Sequence, residues 1–548
     1  MSASATPLPS RHAEVASLPP GPGDAGGSPA RPGPLATLLA HADGAANRIY
    51  GSAYNPLYRS GAVTVWLLGV LVVTGLYLLL FYRVGAPYAS VARVAEQAWL
   101  GRWIRTVHRL AADAALVAAL VHAVRMFAQR RTWGRRAMAW LSGVALVALL
   151  LVCGWTGYVM VWDVFGRMIA IESVRVLDLL PLFSEPLGRA FVGERPVPGA
   201  FFFLNLFLHV ALPIGVGIAL MLHVSRVARP TLLPTRRAMV WGSVALVVAA
   251  ILWPAPLPPE GDALVMPATV PVDVLYGFWL PVARDVSLAV LLGAGGLLLG
   301  AALLVPRFTA PAVELQPPKS VVNERVCTGC EQCALDCPYE AITMVERTDG
   351  RATLVARVDP EACVSCGICA GSCAPMGVGP AGRTGRDQLA GVREFLAANQ
   401  PGPRDVVVVA CRRGAAGAAD RFAGAPVLPV DCAGTVHSSV VEAIVRAGAG
   451  GVLVMACPVE DCWNREGAQW LEQRLFHGRE AELQERVDRR RVAIVNLARS
   501  ESRAAREAVD GFRSKVAELR IHDVDEEFDL LRLCESADAD QDDAGAIA

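Results

Sequence analysis

Four of the nine histidines obey one spacing twice: His108 and His122, then His209 and His223, each pair 14 residues apart. At 100° per residue this interval returns to within about 40° of the same helix face, with the two rings about 21 Å apart along the axis. Both pairs lie in long apolar stretches, where ionisable groups are costly and usually functional. A lone histidine there would bond a neighbouring carbonyl. Two helices carrying the same interval and running in one direction instead pair His108 with His209 and His122 with His223. Imidazole is a usual axial ligand of haem iron, so the pattern predicts two bis-histidine sites for two b haems, one near each membrane surface.

The cysteines form a second constellation. Of 14, thirteen lie beyond residue 320, in a segment without an export signal, which favours metal binding over disulfides. Cys327, Cys330, Cys333 and Cys337 repeat as Cys363, Cys366, Cys369 and Cys373. This C-x2-C-x2-C-x3-C run is that of a two-cluster bacterial ferredoxin, in which the fourth cysteine ligates the other cluster. One [4Fe-4S] site is therefore Cys327, Cys330, Cys333 and Cys373, and the other Cys363, Cys366, Cys369 and Cys337. The second run continues Ala374-Pro375 where the first has Pro338 at once. Structural zinc also uses C-x2-C pairs, but two triplets with trailing cysteines point to iron.

Three apolar strands then run toward cysteines: Val406 to Ala410 toward Cys411, Val427 to Val430 toward Cys432, and Gly451 to Met455 toward Cys457. If the sheet is parallel, its carboxyl ends share one edge, and Cys462 completes a four-thiolate set there. A [2Fe-2S] cluster, structural zinc and a redox-active thiol set remain open for these four. His437 reads as a loop or helix-start residue, and Cys153 and Cys534 as unligated thiols.

The fold class these residues require is multi-domain: an α-helical membrane bundle, an α+β two-cluster ferredoxin and an α/β cysteine-ligated C-terminal domain. Spans of about 20 apolar residues occur at 61–82, 106–127, 138–161, 199–225, 238–254 and 285–305, six helices in all. The connection Arg125 to Arg136 carries five arginines and Arg226 to Arg237 four, whereas 255–283 has no Lys or Arg. That puts both arginine-rich connections, both termini and the cysteine domains in the cytoplasm, although loops 83–105 and 163–198 also hold four arginines each. The expected organisation is a disordered arm at 1–44 without signal-peptide character, a diheme core at 45–230, two further spans at 231–305, and a linker at 306–321. The ferredoxin at 322–376, a linker at 377–403, the C-terminal domain at 404–522 and an acidic tail at 523–548 complete it. Zero net charge gives no reason to expect nucleic acid.

Two stretches resemble known families. Trp103 to Arg109, His122 to Arg125, Gly154 to Tyr158 and the second histidine pair look like the diheme cytochrome b of quinol-oxidising complexes, over about 45–230. The resemblance implies that Arg105 and Arg125 neutralise haem propionates, that Gly69, Gly75, Gly143 and Gly157 admit the macrocycles, and that the protein is a homodimer. It departs in having Val161-Trp162 for the usual Pro-Trp and in lacking Pro-Glu-Trp-Tyr. The nearest counterpart runs from Pro271 to Tyr276, making Asp273 either a quinone proton carrier or a solvated loop aspartate. No extra cysteine near the first helix suggests a third haem. Around Cys457 to Cys462, over about 404–520, the chain resembles the iron–sulfur subunit of methyl-viologen-reducing hydrogenase, which implies a [2Fe-2S] cluster and a flavoprotein partner.

The expected function is a subunit of a quinone-linked oxidoreductase in the cytoplasmic membrane of a bacterial or archaeal-type cell. Electrons would pass between a soluble flavoprotein or ferredoxin-type partner and quinone through the [2Fe-2S] site, the two [4Fe-4S] sites and the two haems in turn. Two other readings are a self-contained thiol/disulfide-reducing enzyme and a membrane anchor or redox sensor with a zinc-binding docking domain. The first lacks an adjacent Cys-Cys pair. Metal content separates the second.

Overall fold

The computed structural model describes residues 34–179, 188, 191, 197–262, 273–312, 316–414, 422 and 424–519. The tail with Cys534 and the arm before residue 34 lie outside the described residues. The arm expected at 1–44 overlaps a helix, α1 (Pro34–Tyr50). Asn47 of α1 donates to Tyr58 Oη at 2.8 Å and accepts from Asn55 at 2.8 Å, contacts that composition does not announce.

The membrane part continues with α2 (Ser60–Phe81), α3 (Pro87–Glu96), α4 (Gly101–Ala128), α5 (Ala137–Val161), α6 (Val164–Leu177), α7 (Gly199–Val224), α8 (Arg236–Leu252), α9 (Leu280–Asp285) and α10 (Leu288–Thr309). Among the described residues five helices are long and apolar enough to cross a membrane: α2, α4, α5 with the turn before it, α7 and α10. The sixth expected span is α8, whose 17 residues reach about 25 Å, short of the roughly 30 Å hydrocarbon core. The chain is a multi-pass membrane protein. The short helices α3 and α6 fall in the two connections expected as outer loops. Asp163 starts α6 by accepting from Gly166 N at 2.8 Å.

Beyond the membrane, β1 (Ser320–Val322), α11 (Gln332–Leu335), β2 (Ile342–Val345), β3 (Val355–Val358), α12 (Ile368–Ser372) and β4 (Val378–Pro380) form the cysteine-run module. Strands β1 and β4 pair antiparallel, so the module extends past both expected boundaries, 322 and 376. Three-residue strands are too short for alternation to reveal.

The rest comprises α13 (Gly385–Asn399), β5 (Val406–Cys411), β6 (Val427–Val430), α14 (Ser438–Arg446), β7 (Gly451–Ala456), α15 (Gly467–Phe476), β8 (Val492–Asn496) and α16 (Ser502–Glu518). The sheet is parallel in the order β6-β5-β7-β8. Every residue of β5 and β7 is buried, as central strands covered on both faces require. The stretch 377–403 is not a linker throughout. Thr384 and Asp387 make a capping box for α13, and its Val392 and Phe395 enter the sheet's core.

Candidate haem and iron–sulfur sites

Helix α2 packs along α4, and α5 along α7. Between these couples His108 has His209 as an electrostatic neighbour, and His122 has His223. All four rings are half-buried. Thr74 Oγ1 lies 2.8 Å from His108 Nδ1, Thr156 Oγ1 3.0 Å from His209 Nδ1, and Ser142 Oγ 3.0 Å from His223 Nδ1. Each hydroxyl has a carbonyl acceptor on its own helix: Val70 at 2.7 Å, Cys153 at 2.9 Å and Met138 at 2.9 Å. A hydroxyl has one proton, so its lone pairs receive Nδ1–H, and Nε2 keeps the lone pair an iron ligand needs.

Each of these hydroxyls immediately precedes a glycine. A Cβ would sit 3.2 Å from His108 Cε1 at Gly75, 3.0 Å from His209 Cε1 at Gly157, and 3.4 Å from His223 Cε1 at Gly143. The fourth position is Gly61, where a Cβ would lie 3.0 Å from His122 Cε1. At Gly69, expected to admit a macrocycle, a Cβ would meet nothing within 4 Å, so it abuts none of the four imidazoles. The pattern Ser60-Gly61, Thr74-Gly75, Ser142-Gly143 and Thr156-Gly157 repeats the 14-residue interval of the histidines. It is legible in the sequence, and reading the histidines alone missed it. Small residues and oriented imidazoles are what bis-histidine haem needs, so the residues present fit the group.

Arg105 lies one turn before His108 and donates to Ala255 O at 2.8 Å and Pro256 O at 2.9 Å. Buried Arg125, near His122, is clamped between Asp43 at 2.6 Å and Asp461 at 2.7 Å. Asp273 is not a solvated loop aspartate. Its Oδ1 accepts from Leu275 N at 2.8 Å and Tyr276 N at 2.6 Å, and its Oδ2 from Tyr158 Oη at 2.8 Å and from Arg109.

In the cysteine-run module the neighbours of Cys333 are Cys327, Cys330, Cys369 and Cys373. Cys327, Cys330, Cys333 and Cys373 also line one small cavity with Val322 and Met344. Cys366 has Cys337, Cys363 and Cys369 beside it. Each group thus gathers three cysteines of one run and the last of the other. Backbone N–H groups point at the sulfurs: Ala341 at Cys337 (3.3 Å), Ser365 at Cys363 (3.4 Å) and Gly377 at Cys373 (3.2 Å). Such bonds stabilise the negative charge of a reduced cluster.

At the carboxyl edge of the parallel sheet, Cys411 Sγ lies 3.4 Å from Cys457 Sγ. Cys432 and Cys462 both face Gly467, where a Cβ would be 2.7 and 3.5 Å from their sulfurs. All four thiols are buried. Among the described residues no group of three or more His, Cys, Asp or Glu is arranged to hold a single metal ion.

Residues 46–229 match the family model for cytochrome b/b6/petB, 326–377 that for a 4Fe-4S dicluster domain, and 406–520 that for the delta subunit of methyl-viologen-reducing hydrogenase. The chain joins these three domains in series. A solved structure described as hyperthermophilic respiratory Complex III is similar at TM-score 0.38 and 16% identity, over 47% of this chain and 78% of that one. The cytochrome b domain implies haem b and the dicluster domain [4Fe-4S] clusters, the carriers of a membrane electron-transfer protein.

The hydrogenase-type domain touches both others. Its loop from Val459 to Trp463 meets the cytochrome b domain through Arg59 and Glu460, Arg125 and Asp461, and Arg131 and the Trp463 carbonyl. One cavity of about 2800 Å³ is lined by Gly61, His122, His223, Cys366 and Cys462. The hydrogenase-type domain also packs on the dicluster domain through a fully buried polar contact. Arg474 donates to Ser372 at 2.9 Å and lies 3.5 Å from Asp336.

His437 is neither solvent-facing nor one of the four gathered at the carboxyl edge. It caps α14 by accepting from Ser439 N at Nδ1 (3.1 Å), and Nε2 therefore donates to Cys373 O at 3.1 Å. Burial lowers its pKa to about 4 against the ordinary 6.5. Between those values the unfolded chain binds the proton and the folded one does not. Stability therefore rises with pH through this window and is lost as pH falls from 6.5 toward 4, by at most about 3 kcal/mol. Amide protection in α14 is expected to fall over this range, and His437→Gln to flatten the dependence. Unchanged pH dependence in that variant would assign the effect elsewhere.

Proposed function

We propose that the chain is the membrane subunit of a quinone-linked oxidoreductase, exchanging electrons between a cytoplasmic redox protein and the quinone pool. His108 with His209 and His122 with His223 would hold the two b haems, the two mixed cysteine sets the [4Fe-4S] clusters, and Cys411, Cys432, Cys457 and Cys462 a [2Fe-2S] cluster. When bound, these groups supply one-electron carriers spanning the molecule. The observation that carries the reading is the single cavity on which His122, His223, Cys366 and Cys462 all open. Both cysteine domains then reach one histidine pair, so the hydrogenase-type domain has a path that need not pass through the dicluster domain.

Both arginine-rich connections contact the cysteine domains, Arg135 at Asp359 and Arg229 at Glu466. This agrees with a cytoplasmic side for these domains. The quinone site is proposed at the other end, where Tyr158, Asp273 and Tyr276 gather beside the His108 pair. The soluble partner is proposed to be a flavoprotein or ferredoxin-type donor, and the assembly a homodimer.

The purified protein is expected to contain two haems and about ten non-haem irons per chain, two four-iron clusters plus one two-iron cluster, with no zinc. A short-chain quinol should reduce its haems, or the quinone oxidise them. Eight irons with one zinc would replace the [2Fe-2S] assignment, and haems indifferent to every quinone and quinol would remove the quinone pool from the function.

A further inference from the structure

Two carboxylates share one guanidinium on the side of the His108 pair. Arg109, which follows His108 on α4, bonds Asp273 and places its Nε 3.3 Å from each oxygen of Asp113 one turn further on. The two carboxylates differ in how they are held. Asp273 has four donors, two to each oxygen: two backbone amides, the Tyr158 hydroxyl and Arg109. Both of its oxygens are thus fully occupied by donors. Asp113 has the long Arg109 contact alone among the described residues.

The charges around the pair come from every element packed there. Arg109 faces both aspartates, and Tyr158 of α5 and Tyr276 of the stretch before α9 supply neutral hydroxyls. Cys153 of α5 lies beside Tyr276, while Arg105 and Asp163 lie further out and balance one another. With both aspartates ionised the inner set of Arg109, Asp113 and Asp273 carries one net negative charge, which is expensive at membrane depth. An electron arriving at the His108–His209 site adds a second negative charge there, one proton is its cheapest neutralisation, and Asp113 is the carboxylate free to take it. Asp113 is also close to the redox centre, five residues or roughly 7.5 Å along the helix from His108.

We propose that Asp113, rather than Asp273, carries the proton at this end of the molecule: its carboxylate binds one proton as the His108–His209 site gains one electron, and releases it when that electron leaves. The proton comes from solvent or from a quinol, whose oxidation supplies protons and electrons in equal number. One positive charge thus accompanies one negative charge, and the combined net charge of the haem site and the carboxylate cluster is unchanged. Arg109 and Asp273 are positioning residues, fixing where Asp113 stands. The inference rests on the haem assignment above and on quinone chemistry at this end only for the proton's source.

The test is a redox titration of the two haems in the full-length protein at several pH values, with no quinone present. In the native protein the midpoint assigned to the His108–His209 site should fall as pH rises, by up to tenfold per pH unit in equilibrium constant, about 59 mV for one electron. Asp113→Asn should flatten that dependence while the other haem's midpoint and both haem contents stay unchanged. Asp273→Asn should leave a slope in place. A slope that survives Asp113→Asn, or that vanishes only with Asp273→Asn, overturns the proposal. If Asp113→Asn does not retain haem, Asp113→Glu decides: haem with a shifted but present slope supports it, and haem without a slope overturns it. A native protein that shows the slope but never reacts with quinones would remove the quinone function and leave the proton carrier standing.

Discussion

His209→Ala is expected to leave one haem where the native protein holds two, halving the reduced-minus-oxidised b absorbance while the remaining haem keeps its midpoint. The two histidine pairs sit about 21 Å apart along their helices, each with its own hydroxyl and its own glycine. Loss of one site therefore removes no support from the other. Gly157→Val should produce the same loss without touching a ligand. Its Cβ would lie 3.0 Å from His209 Cε1, close enough that the ring must give by a few tenths of an ångström, and the two further methyls of the branched side chain push it further off its axis. Thr156→Val should be milder. It keeps the volume but removes the acceptor that fixes the Nδ1–H tautomer, and partners of this kind typically contribute 10- to 100-fold in affinity. Haem content by pyridine haemochrome and by optical titration checks all three. Complete loss of both haems in His209→Ala would mean that the sites assemble together, and an unaltered haem content in Gly157→Val would mean that the helices part to admit the side chain.

These sites were legible in the sequence because helical geometry converts an interval into a face. An interval of 14 residues in α4 and α7 locates four ligands, and the same interval in α2 and α5 locates their Ser/Thr-Gly partners. The cysteine runs are legible for a related reason: the ligand spacing is local, and only the exchange of Cys337 and Cys373 needs the fold. The three strand-end cysteines required one assumption, a parallel sheet, and the order β6-β5-β7-β8 meets it. Asp273 shows where such reading stops. Its four donors come from two backbone amides nearby and from Arg109 and Tyr158, 164 and 115 residues away. No pattern along the chain reports that saturation, so the aspartate in the motif-like stretch drew attention that Asp113 merits. The boundaries missed at Ser320–Val322 and Gly385–Asn399 have the same origin, since a strand or helix paired across 60 residues or docked on a distant sheet carries little local signal.

Contacts between domains were the least legible, and one of them carries the second large expectation. Asp461→Ala should loosen the Val459 to Trp463 loop from the cytochrome b domain, raising its amide exchange by roughly ten- to a hundredfold, since a hydrogen bond to a charged group contributes about 1.5–3 kcal/mol. Arg125 is buried and would keep Asp43, so the cytochrome b domain should retain its fold and both haems. The loop would keep Glu460 on Arg59 and Trp463 against Arg413, whose guanidinium lies 3.5 Å from the ring centroid, so it should open rather than unfold. Cys462 follows Asp461 directly, and so the consequence for electron flow is specific. Equilibration of the His122–His223 haem with the hydrogenase-type domain should slow, while reduction from the His108 end proceeds at the native rate. Removing Asp43 as well would strand Arg125 as an unpaired buried charge, a change that costs about 3–5 kcal/mol, and should cost the haem beside His122. The resemblance to diheme cytochromes makes a contrary case, in which Arg125 turns from Asp461 to the haem propionates. In that case Asp461→Ala would leave loop exchange and electron equilibration at native values, so one exchange experiment on the haem-loaded protein separates an arginine that fastens two domains from one that only balances the haem's charge.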